Sequence, residues 1–338
     1  MNVIIPMAGI GKRMRPHSLF VPKPLMKIAG KAIVHRLIEE LEKSIDSKIK
    51  NIGFVIGDLG KDVETELINI ARNANANGKI YYQREALGTA HAIYCANELL
   101  NNEVIVAFAD TLFKADFKVN KESEAIIWIY EVKDPHNYGV VKLNAQNIVT
   151  DFIEKPKEKI SNKAIVGLYY FKNGDLLNNE IKSIIRNKIK VGGEYQLTTV
   201  LENLKNKGLE FSTGTVREWL DCGNKNTFIS TNSKILEFSD SKELMGKNVK
   251  IKNSQVINPC YFGENVKIYN SVIGPYVSVE NNSVISKCVI SDSIIYNNTR
   301  VRGIVASKSI IGSNVEYLKS DEELSIGDFS IHKIIKQT

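Results

Sequence analysis

The last third of the chain contains recurring short apolar pairs separated by asparagine, serine and glycine, with an apolar residue near every fifth or sixth position. The pairs are Val256-Ile257, Val272-Ile273, Val284-Ile285, Val289-Ile290, Ile294-Ile295 and Ile310-Ile311. Because the separating residues tolerate positive φ, the pattern is typical of a parallel β-helix of hexapeptide repeats, although the period slips repeatedly. An ordinary antiparallel β domain is the alternative interpretation.

The chain up to about residue 225 alternates between apolar runs of strand length and amphipathic helical stretches. The predicted strands are Val3 to Met7, Ile52 to Ile56, Val104 to Ala109 and Ala125 to Tyr130. The predicted helices are Val34 to Lys43, Asp62 to Asn73 and Thr89 to Leu100. Strand and helix in alternation favour a parallel sheet covered on both faces, with ligands bound outside the carboxyl ends of the strands.

A predicted helix from Lys225 to Phe238 and a polar linker from Ser239 to Lys247 connect these two parts. A chain of 338 residues is long enough for two domains. We therefore predict an α/β domain over residues 1–232, a linker over 233–248, and a β-helix with a C-terminal tail over 249–338.

Two glycines follow the first predicted strand, in a loop suited to holding a polyphosphate. Gly9 and Gly11 carry no Cβ, so the backbone can turn sharply and bring its N–H groups close to a ligand. The nearby cations are Lys12, Arg13, Arg15 and Lys23. The alternative is a solvated basic turn after a buried strand.

Two better-known phosphate loops do not match this segment. A Walker loop needs a hydroxyl residue after Gly-Lys, whereas Arg13 follows Gly11-Lys12 here. A dinucleotide-binding fingerprint needs a third glycine where this chain has Met14, and no acidic residue stands at the expected distance. We therefore expect neither a P-loop nor an NAD site.

The whole pattern, Met-Ala-Gly-x-Gly-x-Arg-Met-x-Pro from Met7 followed by Pro-Lys-Pro-Leu from Pro22, resembles the motif of the sugar-phosphate nucleotidylyltransferases, the NDP-sugar pyrophosphorylases. In that family the glycine loop and its arginine hold the triphosphate of an incoming nucleotide, and the lysine lies at the transferred phosphoryl group. The resemblance implies these roles for Ala8, Gly9, Gly11, Arg13 and Lys23.

The resemblance also implies a fold and a reaction. The fold is α/β, a Rossmann-like mixed-sheet nucleotidyltransferase domain followed by a short C-terminal left-handed parallel β-helix that mediates homo-oligomer contacts. The reaction is Mg²⁺-dependent transfer from a pyrimidine nucleoside triphosphate, dTTP or UTP, to a sugar 1-phosphate, with glucose 1-phosphate the first choice. The products are an NDP-sugar and pyrophosphate.

Two aspartates are candidate magnesium ligands, because Mg²⁺ prefers carboxylate, phosphate and water oxygens. Asp110 ends a very apolar run, and Asp221 lies in Trp-Leu-Asp-Cys-Gly. Taken alone, either could be a helix cap or a turn aspartate. The resemblance makes them the metal pair, although the family usually has glycine where this chain has Ala109.

Base recognition is expected from Gln83 and the segment around Gly88 and Thr89. A glutamine amide can match the imide edge of uracil or thymine, and a glycine lets backbone groups complete the pairing. Gln-x-x-x-x-Gly-Thr-Ala is similar to the pyrimidine-reading loop of uridylyl- and thymidylyltransferases. A surface glutamine and a glycine that precedes a helix are the alternative.

Four further residues are candidates for binding the sugar phosphate. By resemblance, Gly139 and Glu154 contact sugar hydroxyls, Lys155 binds the sugar phosphate, and Glu194 closes the pocket. Without the family, Glu154-Lys155 would be read as a plain surface pair. Relatives commonly carry aspartate where this chain has Thr199, so no role is assigned there.

Composition excludes several other classes. The net charge of +7 is spread among acids and asparagines without a basic stripe, so we expect no nucleic-acid partner. No apolar run reaches the length of a membrane span, and the N-terminus lacks the features of a signal peptide, which makes the cytoplasm the expected location. The dispersed cysteines Cys95, Cys222, Cys260 and Cys288 are expected to be buried thiols.

Other functions remain as alternatives. They are a mannose-1-phosphate guanylyltransferase, a bifunctional uridylyl- and acetyltransferase, and a catalytically silent subunit that senses sugar nucleotides. The acetyltransferase would have only His332 in its β-helix. The silent subunit is disfavoured because Arg13, Lys23, Asp110 and Asp221 are all present.

Overall fold

The computed structural model describes residues 1–9, 11–114 and 117–320, which divide into two compact units, Met1–Lys234 and Ile235–Thr338. Ile10 of the glycine loop and the C-terminal tail with His332 lie outside the described residues.

The first unit is built on one large sheet. Seven of its strands run in the order β10-β9-β11-β6-β1-β4-β5. Off this path, β8 pairs with β11, and β12 pairs with β8. The strands of the unit are β1 (Asn2–Pro6), β2 (Lys27–Ile28), β3 (Lys31–Ala32), β4 (Asn51–Ile56), β5 (Asn77–Tyr82), β6 (Val104–Ala107), β7 (Thr111–Lys114), β8 (Ala125–Glu131), β9 (Gly139–Leu143), β10 (Val149–Glu154), β11 (Lys163–Phe171), β12 (Phe211–Thr215) and β13 (Glu218–Asp221).

The sheet is mixed, so the expectation of a parallel sheet from the strand and helix alternation is wrong for its second half. β1 pairs in parallel with β4 and β6, whereas β11 runs antiparallel to both β6 and β8. The chain between β8 and β11 forms the antiparallel pair β9 and β10 instead of a crossover helix. Without a crossover the chain returns in the opposite direction. The mixed sheet implied by the family resemblance is confirmed.

The helices bury one apolar face each. They are α1 (Ile33–Ser44), α2 (Lys61–Asn73), α3 (Thr89–Cys95), α4 (Gly174–Arg186), α5 (Leu197–Asn206) and α6 (Lys225–Phe238). In α1 the buried side chains Val34, Leu37, Ile38 and Leu41 follow helical spacing. The helix predicted from Thr89 to Leu100 ends early, because the Ala96 N–H bonds to the carbonyl of Ile93 and the chain continues as a short 3₁₀ turn.

In the second unit, short parallel strands stack in register, as in a left-handed β-helix. Among the described residues they form three sheets, β14-β17-β20-β23-β26, β15-β18-β21-β24 and β16-β19-β22-β25. The strands are β14 (Lys250–Lys252), β15 (Gln255–Val256), β16 (Cys260–Phe262), β17 (Lys267–Tyr269), β18 (Val272–Ile273), β19 (Val277–Val279), β20 (Val284–Ser286), β21 (Val289–Ser291), β22 (Ser293–Ile295), β23 (Arg300–Arg302), β24 (Val305–Ser307), β25 (Ile310–Ile311) and β26 (Glu316–Leu318).

An asparagine ladder, Asn248, Asn265, Asn282, Asn298 and Asn314, marks one corner of the β-helix. Each of these residues has φ between 57° and 59°. Each side-chain amide donates to the next asparagine at 2.9–3.2 Å, over steps of 17, 17, 16 and 16 residues. A coil is therefore shorter than three hexapeptides, which explains why the apolar period slips along the sequence.

Within the described ranges, no helix is both long and apolar enough to cross a membrane. The four cysteines are free thiols; Cys222, Cys260 and Cys288 are buried as expected, whereas Cys95 is partly exposed.

Candidate active site

The glycine loop leaves the sheet where the strand order reverses. β1 lies between β4 and β6, so the loop after it opens at the crevice beyond their carboxyl ends, where open α/β sheets bind ligands. Gly11 has φ 63°, and its carbonyl accepts from Ser18 Oγ at 2.9 Å. A Cβ on Gly11 would lie 3.1 Å from Lys23 Cβ, so the turn favours glycine at this position.

Lys23 is the cation that this loop buries. It is 9% exposed, and its Nζ lies 2.9 Å from Asp110 Oδ2. A buried ammonium group is costly unless a carboxylate lies beside it, and Asp110 provides that partner while remaining partly open to solvent. The loop after β1 and the end of β6 therefore meet through a charged pair.

Strand pairing brings the two candidate metal ligands together. β13 runs antiparallel to β7, with Asp221 opposite Thr111, the residue that follows Asp110. The Cys222 N–H donates to the Asp110 carbonyl at 3.2 Å, and Thr231 Oγ donates to the Asp221 carbonyl at 2.9 Å. Backbone and helix contacts thus hold both aspartates in adjoining positions.

Gly223 holds the carboxylate of Asp221. Its N–H donates to Asp221 Oδ1 at 2.8 Å. A Cβ on Gly223 would lie 2.9 Å from Oδ1 and 3.5 Å from Arg13 Nη2. The guanidinium of Arg13 and the carboxylate of Asp221 therefore both approach the space left by the missing side chain.

The pKa values of two groups next to the aspartates are shifted by the charged residues of this site. Burial raises the pKa of the Cys222 thiol; Asp221 and Asp110 raise it further, and Lys23 opposes them. Burial also raises the pKa of Tyr138, with Asp221 adding to the shift and Arg13 opposing it. Tyr138 thus lies near both Arg13 and Asp221, against the ring of Trp219.

Asp110 and Asp221 suit a hard divalent cation. The described residues contain no group of three or more His, Cys, Asp or Glu side chains able to hold a metal ion. Two carboxylates with an open side are the protein ligands that Mg²⁺ uses when phosphate oxygens and water complete its octahedron. The donor set therefore fits magnesium bound together with a nucleotide.

The residues predicted to recognise the base lie at the end of β5 and the start of α3. Gln83 Nε2 donates to the Gly88 carbonyl at 3.0 Å. Gly88 has φ 107°, and a Cβ on it would lie 2.6 Å from the Tyr195 carbonyl oxygen, so only glycine fits. Thr89 Oγ accepts from the Leu197 N–H at 2.9 Å, at the first residue of α5.

The residues predicted to bind the sugar phosphate adjoin this segment. Gly139 pairs with Glu154 across β9 and β10, and a Cβ on Gly139 would lie 3.3 Å from Glu154 Oε2 and 3.5 Å from Thr198 Cγ2. Glu194 accepts from the Gln196 side chain at 2.9 Å. The Lys155 side chain is 65% exposed, and its Nζ lies 3.9 Å from Glu154 Oε1.

The structure adds residues to which sequence reasoning assigned no role. Tyr138, Gly223 and Thr231 lie beside Asp221, and the backbone of Tyr195 bonds to Leu87 and Ala90. Tyr138 adjoins Gly139, and Gly223 is the last residue of Trp-Leu-Asp-Cys-Gly, which is the signal that could have identified them. Thr231 had no comparable signal, because only the fold of α6 brings it to Asp221.

Comparisons with known proteins place the chain in a family. The nucleotidyl transferase family matches residues 2–237, and the chain belongs to that family. The resemblance drawn from the glycine loop is thereby confirmed.

Individual relatives cover most of the chain. A bifunctional protein GlmU of Methanococcus maripaludis strain C5 is 30% identical over 341 residues, which is 94% of this chain and 79% of that protein. A glucose-1-phosphate thymidylyltransferase of Streptomyces antibioticus is 25% identical over 347 residues, which is 95% of this chain and 94% of that protein.

A solved structure shares the fold. It is a UDP-glucose pyrophosphorylase complexed with UDP-glucose, with a TM-score of 0.58 at 21% identity, covering 70% of this chain and 99% of that chain.

Proposed function

We propose that this chain transfers a nucleotidyl group from a pyrimidine nucleoside triphosphate, dTTP or UTP, to a sugar 1-phosphate, with Mg²⁺ as cofactor. Glucose 1-phosphate is the preferred acceptor in this proposal, and the products are an NDP-sugar and pyrophosphate. The observation that carries it is the meeting of Lys23, Asp110 and Asp221 beside the glycine loop.

The reaction is an in-line displacement at the α-phosphorus of the nucleotide, with pyrophosphate leaving. It needs positioning and charge neutralisation more than a covalent nucleophile. A sugar phosphate has a second pKa of about 6, so its attacking oxygen is mostly ionised at neutral pH without a general base. This requirement agrees with a site composed of cations and carboxylates.

Each charged residue then has a defined task. Arg13 neutralises the triphosphate held by the glycine loop, and Lys23 neutralises the phosphoryl group in transfer. Asp110 and Asp221 would hold Mg²⁺, which when bound supplies charge neutralisation to the phosphates. Lys23 already lies against Asp110, so its ammonium group is close to the position that the phosphoryl group would take.

The two substrates occupy adjoining pockets in this proposal. Gln83, Gly88 and Thr89 receive the base, while Gly139, Glu154, Lys155 and Glu194 receive the sugar phosphate. The hydrogen bonds between the base loop and the Tyr195–Leu197 segment support this arrangement, because they join the two predicted pockets. We further propose that the chain forms a homo-oligomer.

A second activity is suggested by the relatives called bifunctional. Acetyl transfer in the β-helix would need its own acid or base. The described part of the second unit contains no histidine, and its buried thiols Cys260 and Cys288 lie inside the coil. We propose nucleotidyl transfer alone, because the described residues bring together the charged groups that this reaction needs.

The decisive experiment measures pyrophosphate release. The protein is incubated with Mg²⁺, one of ATP, GTP, CTP, UTP or dTTP, and a panel of sugar 1-phosphates. We expect the fastest release with UTP or dTTP and glucose 1-phosphate. Preferred use of GTP with mannose 1-phosphate would support the guanylyltransferase instead, and no release from any pair would overturn the proposal.

A further inference from the structure

The amide of Gln83 makes two contacts with its nitrogen. Nε2 lies 3.0 Å from the Gly88 carbonyl oxygen and 3.2 Å from Nδ1 of His91, on the first turn of α3. Within the described residues Gln83 Oε1 accepts no hydrogen bond, and the side chain is only partly buried. The oxygen of this amide is therefore the atom available to a ligand.

Chemistry dictates which way the amide faces. A backbone carbonyl can only accept a hydrogen bond, so the Gln83 atom beside the Gly88 oxygen must be the nitrogen. The same nitrogen faces His91, and it has no lone pair to offer. His91 Nδ1 must then be the acceptor, with the ring proton on Nε2.

A second neighbour of the same ring nitrogen is also a donor. Cys95 Sγ, one turn along α3, lies 3.9 Å from His91 Nδ1. Burial raises the pKa of the Cys95 thiol, which keeps its proton in place. Both side chains that reach Nδ1 therefore present hydrogens to it.

We propose that neutral His91 is a positioning residue for base recognition, which locks the Gln83 amide so that only its oxygen faces the base. This inference rests on the proposed function and goes further, because it states the chemical feature that is read. An acceptor oxygen matches the N3–H of uracil and thymine. Cytosine presents an unprotonated N3 at that edge, and adenine an unprotonated N1, so both place lone pair against lone pair.

The surroundings of His91 favour the neutral ring. Burial lowers its pKa and so does Lys190, from the segment between α4 and α5, whereas Glu85 in the loop before α3 opposes them. The pKa of His91 therefore lies below the ordinary value of 6.5, so the ring is neutral near pH 7.5 and protonates only in acid. On protonation Nδ1 becomes a donor, the contact with Gln83 Nε2 becomes repulsive, and the amide is released to rotate.

The test is the ratio of kcat/KM for UTP to that for CTP, measured near pH 7.5 and near pH 5.5. The sugar phosphate titrates equally in both assays, so its protonation cancels in the ratio. We expect the ratio to fall by about tenfold or more at the lower pH in the native protein. A ratio that does not change with pH would overturn the proposal.

Two variants separate positioning from general structure. His91→Leu removes the acceptor, and we expect a low ratio at both pH values. His91→Asn provides a side-chain oxygen that does not titrate, and we expect a restored ratio without pH dependence. The matched control is His35→Asn on α1, a half-buried histidine with a lowered pKa, which should leave the native pH response intact. A native ratio in His91→Leu would contradict the proposal.

Calorimetric titration with UMP and CMP, without sugar phosphate, keeps this test independent of turnover. A pH-dependent UMP preference that disappears in His91→Leu supports the inference even when pyrophosphate release fails and the proposed reaction is wrong. Turnover with an unresponsive ratio, or binding of neither nucleotide, rejects the inference.

Discussion

The two units of this protein are held together by contacts of very different sequence separation. In the β-helix, each asparagine of the ladder bonds to one 16 or 17 residues further on. In the first unit, Lys23 meets a carboxylate 87 residues away, and Thr89 accepts from a backbone N–H 108 residues away. The β-helix is thus a near-neighbour structure, whereas the candidate active site depends on distant pairings.

Because of this difference, we expect substitutions in the β-helix to change mainly stability and substitutions in the candidate active site to change mainly turnover. A repeating coil buries equivalent residues at each turn, so a local change weakens neighbouring coils and affects little beyond them. The active site has no equivalent residues, because each charged group enters from a different element. A single isosteric change there should abolish chemistry while leaving the fold intact.

The largest expected effect is on turnover in the first unit. Asp110→Asn and Asp221→Asn each remove a negative charge proposed to hold Mg²⁺, and we expect kcat to fall by about 10³-fold or more. Steady-state pyrophosphate release measures it, and circular dichroism checks the fold. Asp46→Asn is the control, since its pair with Lys118 is exposed and contributes little. Native rates in either site variant would refute the metal assignment.

The next effect is on the stability of the β-helix. Ile285 is completely buried in the coil, so Ile285→Ala should lower the free energy of unfolding by about 2–5 kcal/mol, from lost burial and a new cavity. Val305→Ala is the matched control because Val305 is 86% exposed. Denaturant titration measures both. We expect turnover of Ile285→Ala at low temperature to stay near the native value, and a proportionate loss would show that the two units are not separable.

The smallest effect is on the asparagine ladder. Asn282→Ala loses the amide and places an ordinary residue at φ 59°, whereas Asn282→Gly loses only the amide. We expect alanine to destabilise the fold by about 1 kcal/mol more than glycine, since a Cβ strains the left-handed region. Thermal unfolding of the pair measures the difference. Equal stabilities would mean that the amides, and not the backbone, favour asparagine there.

Sequence reasoning succeeded best where structure is local. The strand before Gly9 and the helix Lys225–Phe238 follow from short-range apolar spacing and appear in the structure. It failed where distant pairing decides, as in the antiparallel return of β11. It also made the helix after Thr89 too long, since a local cap at Ala96 ends it. It also assumed hexapeptide coils, because the pairs reveal that strands repeat without revealing how many corner residues each coil uses.

The sequence by itself determined the family, the α/β domain with its β-helix, and a list of candidate residues for binding phosphate, base and sugar. Those properties reside in residue types at short spacings, where steric and hydrophobic preferences act directly. Tertiary structure alone decided which of them meet. The salt bridge of Lys23 with Asp110, the space beside Gly223 and the contact of His91 with Gln83 require separate elements to dock, and docking depends on burial summed over the whole domain.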